Sequence, residues 1–197
     1  MGQYSTGADN SLLGLQAAQV TDPGTLAILQ DSQNRVRSMA LIHQTLYQSA
    51  NFARVDFSDV LQTLTRGLAV SYGIDPDRIS LRLDTQPVLI SIESAIPLGL
   101  VVNELVSNAL KHAYPNGRTG EILVRFETEL NSVSGLDGVL LVSDDGVGID
   151  PHFDIGGSAT LGLQLVQLLC EQLHGKLKIH HAQPTYFKLL FPIDGAK

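Results

Sequence analysis

The sequence predicts an α+β fold: an α/β sandwich in which a mixed sheet is covered by helices, preceded by a partial helical hairpin. Three observations predict it. Over the first fifty residues, apolar positions recur at three- and four-residue steps. From Ala53 onward, short alternating strands are interleaved with helical stretches. The last two strands, 176–181 and 186–191, form a hairpin, which favours a mixed sheet over a doubly wound parallel one. The chain divides accordingly into a disordered or cloning-derived tail over 1–11, a partial dimerisation hairpin over 12–50 and an α/β domain over 53–194.

In order along the chain, Leu12, Leu13, Leu15, Ala18 and Val20 give a short helical stripe that stops at Thr21-Asp22-Pro23. Asp22 as N-cap and Pro23 at the first helical position open a second helix, because the missing N–H of proline has no partner there anyway. Leu26, Leu29, Val36, Met39, Ala40, His43, Leu46 and Tyr47 carry that helix to about Ser49. So long a one-sided stripe cannot bury itself against a nine- or ten-residue partner, so a second copy of the chain is expected to cover it. Ser58 is positioned to cap a helix over 59–72. Strands follow at 79–84, where Ile79, Leu81 and Leu83 alternate with polar residues, and at 88–92. A mostly buried helix covers 95–112. Strands at 121–129 and 138–143 precede a helix over 161–174, for which Gly175 suits a left-handed C-terminal cap.

At 197 residues, roughly 70% of the extended surface can be buried, so the core needs no staple. Cys170 is the sole cysteine, which excludes an internal disulfide and any multi-cysteine metal site and fits a reducing, cytoplasmic setting. Thirteen basic against twenty acidic residues, with no basic cluster, argue against a nucleic-acid partner. No apolar run is long enough to span a membrane, and no leader pattern opens the chain.

Three clusters carry the chemistry. In Asn103-Glu104-Leu105-Val106-Ser107-Asn108-Ala109-Leu110-Lys111-His112-Ala113, the residues Glu104, Asn108, Lys111 and His112 share one face of an otherwise apolar helix. Mg²⁺ bound to a nucleotide would satisfy that face: an Asn amide oxygen is a hard ligand, Lys pairs with phosphate and a carboxylate can position a nucleophile. A helix end emerging into solvent is the plainer alternative. In Ser143-Asp144-Asp145-Gly146-Val147-Gly148-Ile149-Asp150, glycines two apart permit close backbone approach, and an acid at the end of a strand can accept from an exocyclic amine; Asp-Asp-Gly is also an ordinary turn. Gly156-Gly157-Ser158-Ala159-Thr160-Leu161-Gly162-Leu163 runs into a helix and offers N–H groups to phosphate, or is simply a flexible connection.

In this order and spacing the three clusters resemble the N, G1 and G2 boxes of the GHKL ATPase superfamily. It is shared by sensor histidine kinases, DNA gyrase, a heat-shock chaperone and mismatch-repair ATPases, and the resemblance extends over about residues 55 to 192. It implies the Bergerat-type sandwich, with ATP and Mg²⁺ held under a lid. By that resemblance Glu104 takes the position associated with activating a nucleophile, Asn108 holds Mg²⁺, Lys111 contacts phosphate and His112 lies near the base or sugar, with Asn103 and Ala113 flanking them. Asp144 is similar to the residue that reads the adenine amino group. Gly146, Gly148 and Ile149 shape its pocket, and Thr160, Leu161, Gly162 and Leu163 match the end of the lid. The sequence departs from the fuller pattern in having one glycine at Leu161-Gly162-Leu163 and only about ten residues after Asp150, so the lid is expected to be short.

The stretch from Asp31 to Ser49, with Arg35-Val36-Arg37-Ser38-Met39-Ala40-Leu41-Ile42-His43, resembles the second helix of the dimerisation hairpin in one branch of bacterial sensor histidine kinases. In that branch the phosphoacceptor histidine lies on the first helix, about a dozen residues before the Leu12-Leu13 pair. That position falls at or before Met1, so no acceptor is expected in this chain. His43 is the remaining candidate, but it lies on the apolar stripe, where a packed, hydrogen-bonded histidine is the plainer account. The resemblance implies a homodimeric protein histidine kinase that passes phosphoryl from ATP to a histidine and then to a response-regulator aspartate. The alternatives are a nucleotide-binding regulatory module without phosphotransfer and a stand-alone ATPase or serine kinase.

Overall fold

The computed structural model describes residues 22–48, 54–131, 135–150 and 161–193. The expected first helix over 12–20 and the lid segment over 151–160, including Thr160, lie outside the described residues. Helix α1 (Pro23–Gln48) leads into β1 (Arg54–Asp56), α2 (Phe57–Ser71), β2 (Ile79–Thr85), β3 (Leu89–Ser91) and α3 (Ile92–His112). After a short 3₁₀ turn at Pro115–Gly117 come β4 (Gly120–Asn131), β5 (Gly135–Asp144), α4 (Leu161–Gln172), β6 (Lys176–His180) and β7 (Thr185–Pro192).

The main sheet has the order β2-β4-β5-β7-β6. The β2–β4 pair is parallel and the other three pairs are antiparallel, so the sheet is mixed, as the terminal hairpin implied. Alternation decides which face is dry: Ile122, Val124 and Phe126 on β4 and Phe187, Leu189 and Phe191 on β7 are buried. Phe126 anchors that layer, edge-on to Phe57 of α2 at 4.9 Å and stacked on Phe191 at 6.2 Å. Gly138, opposite Phe191 in register, leaves room for its ring to lie across β5, since a side-chain carbon there would come within 2.6 Å of Cε1. The α3 helix, with Leu98, Val101, Val102, Leu105 and Val106 all buried, forms the centre of the helical layer.

Local chemistry moved several boundaries. The cap of α2 is Asp56, not Ser58. The Asp56 Oδ1 accepts from the Ser58 N–H at 2.9 Å, the Ser58 hydroxyl at 2.7 Å and the Val88 N–H at 3.3 Å, so one carboxylate starts the helix and ties it to the neighbouring strand. That tie accompanies a ladder the sequence does not announce, β1 against β3, with Val55 opposite Ile90. Helix α3 starts three residues earlier than its apolar pattern, at Ile92, because the Ser91 hydroxyl accepts from the Ser94 N–H. At the end of α4 the left-handed residue is His174 (φ 52°) rather than Gly175. The His174 N–H donates to the Glu171 carbonyl and the Gly175 N–H to the Cys170 carbonyl, the paired bonds of a Schellman ending. Glycine is required at 175 by space: a side-chain carbon would come within 2.6 Å of Leu189 and 3.0 Å of the Leu190 carbonyl.

Asp22 caps α1 as expected, accepting from both the N–H and the hydroxyl of Thr25 at 2.7 Å. The face that α1 docks is not the stripe the periodicity picked out. Ile42 is buried against Gly99 of α3 and Leu41 meets Gly67 of α2, whereas Ile28, Val36 and Met39 remain exposed. The side chains of His43, Leu46 and Tyr47 lie outside the described residues. No helix among the described residues is long and apolar enough to cross a membrane.

Burial of Cys170 on α4 pushes its thiol up to about 11, with Glu171 adding to the shift. Alkylation at neutral pH is therefore expected to be slow in the folded chain and to accelerate only on unfolding. Replacing Asp56 by Ala is expected to cost about 1–2 kcal/mol, read as a lower urea midpoint with unchanged slope, and Ser58→Ala distinctly less.

Candidate functional site

The apolar helix α3 carries three buried polar side chains in its middle, Asn103, Glu104 and Ser107. Polar groups removed from water need partners, so the surroundings of α3 define the site. Two cavities open along it. The smaller, about 320 Å³, lies between Leu105, Asn108, Ala109, His112 and Ala113 of α3, Val142 and Asp144 of β5, Gly148 and Ile149 after β5, Leu163 of α4, and Thr185 and Phe187 of β7. Its walls are mostly apolar, with an acid at one end. The larger, about 940 Å³, is bounded by Asn108, Lys111 and His112 of α3 and by Leu161 and Gly162 at the start of α4. Across from them stand Ser32, Arg35 and Arg37 of α1 and Ser71 and Tyr72 at the end of α2. Asn108 and His112 line both cavities, so the two are chambers of one site.

Two adjacent acids at the end of β5 have separate jobs. Asp145 holds the framework: its Oδ1 accepts from the Glu121 N–H at 2.8 Å and the Tyr114 hydroxyl at 3.1 Å, while its carbonyl accepts from Arg118 at 3.0 Å. Burial, followed by the hydrogen bond to Asp145 and then the charge of that residue, holds the Tyr114 hydroxyl well above the ordinary tyrosine range, so it stays a donor. Asp144 lines the smaller chamber and accepts from the Gly146 N–H at 3.0 Å. Burial raises its carboxyl above the usual range, with the charge of Asp145 acting in the same direction and the Gly146 N–H opposing it. Gly146 does not line the chamber; it lets the loop touch the end of α3, since a side-chain carbon would collide with Ala113, whose carbonyl accepts from the Val147 N–H at 3.0 Å. Gly148 turns the chain with φ 86°, and Ile149 then donates to the His181 carbonyl, which fixes it against the chamber.

The polar face of α3 divides in the same way. Asn108 and His112 stand at the junction of the chambers, with Lys111 in the wall of the larger. The Asn108 Nδ2 is buried and has no hydrogen-bond partner, an orphan that a bound group would satisfy. Glu104 sits deeper and lines neither chamber; its carboxylate is held by Arg35 of α1 and, more weakly, by Asn103 Nδ2 at 3.4 Å. Asn103 is likewise buried outside the chambers. Leu161 is exposed at the mouth of the larger chamber, Gly162 is in its wall, and Leu163 is in the wall of the smaller. Sequence reasoning missed Arg35 and the β7 pair, Thr185 and Phe187. Thr185 lies opposite Asp144 in the β5–β7 register, a position that pattern alone does not give.

A framework built this way defines a class, and comparison with known proteins gives the same one. Residues 93–195, more than half of the chain, match the model of the histidine kinase-, DNA gyrase B- and HSP90-like ATPases, and residues 10–72 match a histidine kinase model. The chain belongs to the histidine kinase-, DNA gyrase B- and HSP90-like ATPase family. It is 34% identical over 176 residues to the sensor histidine kinase PdtaS of Mycobacterium tuberculosis, covering 88% of this chain and 34% of that one. It is 25% identical over 171 residues to blue-light-activated histidine kinase 2 of Erythrobacter litoralis, covering 86% and 48%. The chain thus spans between a third and a half of the length of these relatives. In fold it is similar to the histidine kinase domain of the Erythrobacter litoralis EL346 blue-light-activated kinase, with TM-score 0.70, 23% identity, and 93% and 94% of the two chains covered. It is also similar to Acinetobacter baumannii AdeS, with TM-score 0.57, 17% identity, and 97% and 96% covered.

A carboxyl held above its unfolded-state value favours the fold below that value, and the contribution is lost as pH rises through the folded one. Ionised Asp144 therefore weighs against the ligand-free fold at neutral pH. Asp144→Asn is expected to raise the melting temperature of the ligand-free chain at pH 7, the gain shrinking toward about pH 4 as the wild-type carboxyl protonates.

Proposed function

We propose that this chain is the nucleotide-binding, phosphoryl-donating part of a sensor histidine kinase of a two-component system, with Mg-ATP as donor and a histidine as first acceptor. The carrying observation is the pair of joined chambers, one apolar and closed by Asp144, the other faced by Lys111, with the orphan Asn108 amide between them. A neutral heterocycle with an exocyclic amine fits the first, its amine donating to Asp144 and its faces packed between Ile149, Leu163 and the α3 side chains. A triphosphate extending past His112 enters the second, where Lys111 offers charge and α4 presents its N-terminal end beside Gly162.

Mg²⁺ at that junction supplies neutralisation of the phosphate charge. Asn108 would hold it through its amide oxygen, leaving the unpartnered Nδ2 to donate to a phosphate oxygen. Among the described residues no group of three His, Cys, Asp or Glu could hold a metal, so most of the ion's shell would come from phosphate and water. Glu104, behind Asn108 on α3, is the group that accepts the proton of the nucleophile. The γ-phosphoryl then passes to an imidazole nitrogen as its bond to the ADP oxygen breaks, and later to an aspartate of a response regulator.

Residues 12–50 read as the dimerisation part and 53–194 as the ATP-binding domain of a cytoplasmic protein. The exposed Ile28, Val36 and Met39 on α1 support a homodimer, because that stripe has no cover among the described residues. The second helix of the hairpin is then α1, and His43, on it, is not the acceptor.

Mg-ADP is expected to raise the melting temperature as ligand linkage requires, and Asn108→Ala or Asp144→Asn to remove most of that rise; no shift in the wild-type chain would reject the nucleotide site. With γ-labelled ATP and a separately supplied histidine-bearing hairpin, acid-labile label that Asn108→Ala abolishes is expected. Acid-stable label would indicate a serine kinase, nucleotide binding without transfer a regulatory module, and steady phosphate release without acceptor a stand-alone ATPase.

A further inference from the structure

A cation of α1, Arg35, reaches the buried polar row of α3. The Arg35 Nε lies 2.7 Å from Glu104 Oε1 and its Nη2 donates to Oε2 at 2.9 Å, a two-pronged contact on a carboxylate side chain only 4% exposed. A carboxylate taken from water needs a cation and hydrogen bonds in compensation. The planar guanidinium supplies both, and it also fixes the plane of the carboxylate, which a lysine cannot do. Oε1 takes both Arg35 Nε and, weakly, Asn103 Nδ2, whereas Oε2 gives up one lone pair to the fork and keeps capacity to accept another proton donor.

The pair also has a third neighbour. A side-chain carbon at Gly162 would collide with Glu104 Oε2 and come within 2.9 Å of Arg35 Nη2. Gly162, Arg35, Asn108 and Lys111 all line the larger chamber. Arg35 thus joins α1, α3 and the start of α4 at the chamber assigned above to phosphate.

We propose that Arg35 is the positioning residue for Glu104: it fixes the orientation of the carboxylate without touching a reacting atom, so phosphoryl transfer depends on α1 being seated against the domain. The proposal rests on the reading of Glu104 as the proton acceptor. In the step concerned, the proton of the nucleophile passes to Glu104, the bond to the γ-phosphorus forms, and the bond to the bridging oxygen breaks with its electron pair leaving on ADP.

The test is single-turnover consumption of γ-labelled Mg-ATP by the whole 197-residue chain with the acceptor hairpin supplied, counting protein-bound label and free phosphate together. Arg35→Ala is expected to lower the saturated rate about tenfold or more with KM held within about twofold, and Arg35→Lys to recover part of the loss. In the double variant, Arg35→Ala is expected to add nothing to the loss caused by Glu104→Gln, which a merely structural role would not produce. Mg-ADP affinity and circular dichroism report that each variant is folded, and Arg35→Gln replaces Arg35→Ala if the latter does not fold. An unchanged or raised rate in a folded Arg35 variant, or additive losses in the double variant, overturns the proposal. If Glu104→Gln alone leaves the rate intact, the reading of Glu104 falls and Arg35 with it; if Glu104→Gln stops turnover and Arg35→Ala does not slow it, only the Arg35 proposal falls.

Discussion

Helix α3 is dry along most of its length and yet carries Asn103, Glu104, Ser107 and Asn108 through its centre. Dry polar groups must be paired, and within α3 itself Asn103 offers Glu104 only a weak bond at 3.4 Å. Partners come from elsewhere. Glu104 takes a guanidinium from α1, and Asn108 turns its amide toward the junction of two chambers. The sheet, the loop after β5 and the start of α4 are arranged around this row, and the position of each follows from what the row needs.

Close approach makes that arrangement possible. Gly146 lets the loop after β5 lie on the end of α3, and Gly162 lets α4 begin directly over the Glu104 carboxylate. Gly138 allows a phenylalanine ring to cross its strand, and Gly67 and Gly99 receive Leu41 and Ile42 of α1. The first two glycines act at the site and the last three act in packing, but the physical reason is shared: a single methyl group would displace a close neighbour.

Sequence periodicity was a good guide to elements and a poor one to partnerships. Strands with regular alternation and the long apolar helix were readable, as was the mixed character of the sheet, because those depend on local period. The β1–β3 ladder was not: β3 was expected as a strand at 88–92, but the three residues of β1 leave no pattern to mark its partner, and Asp56, whose carboxylate serves a helix start and the approach to β3 at once, organises the pair. The stripe on α1 was legible, but its docked face was not: Ile42 alone is a weak signal until Gly99 is placed opposite it. At the site, motif spacing marked Asn108, Lys111, Asp144 and Gly162, which lie on three separate elements and line the two chambers. Arg35 carried no mark, because its partner is 69 residues away and nothing local distinguishes it from Arg37.

The asymmetry between the two chambers bears on how the site could be blocked. The smaller one is enclosed by Leu105, Ala109, Val142, Ile149, Leu163 and Phe187, with a single carboxylate to orient an occupant. A compact uncharged aromatic amine would find there both the apolar contact and the one directional bond that dominate small-ligand affinity. It would need none of the larger chamber, where we propose that phosphate lies, and so none of the negative charge that keeps nucleotide mimics from crossing membranes. Competition with the nucleotide is thus separable, in the architecture of this chain, from imitation of it.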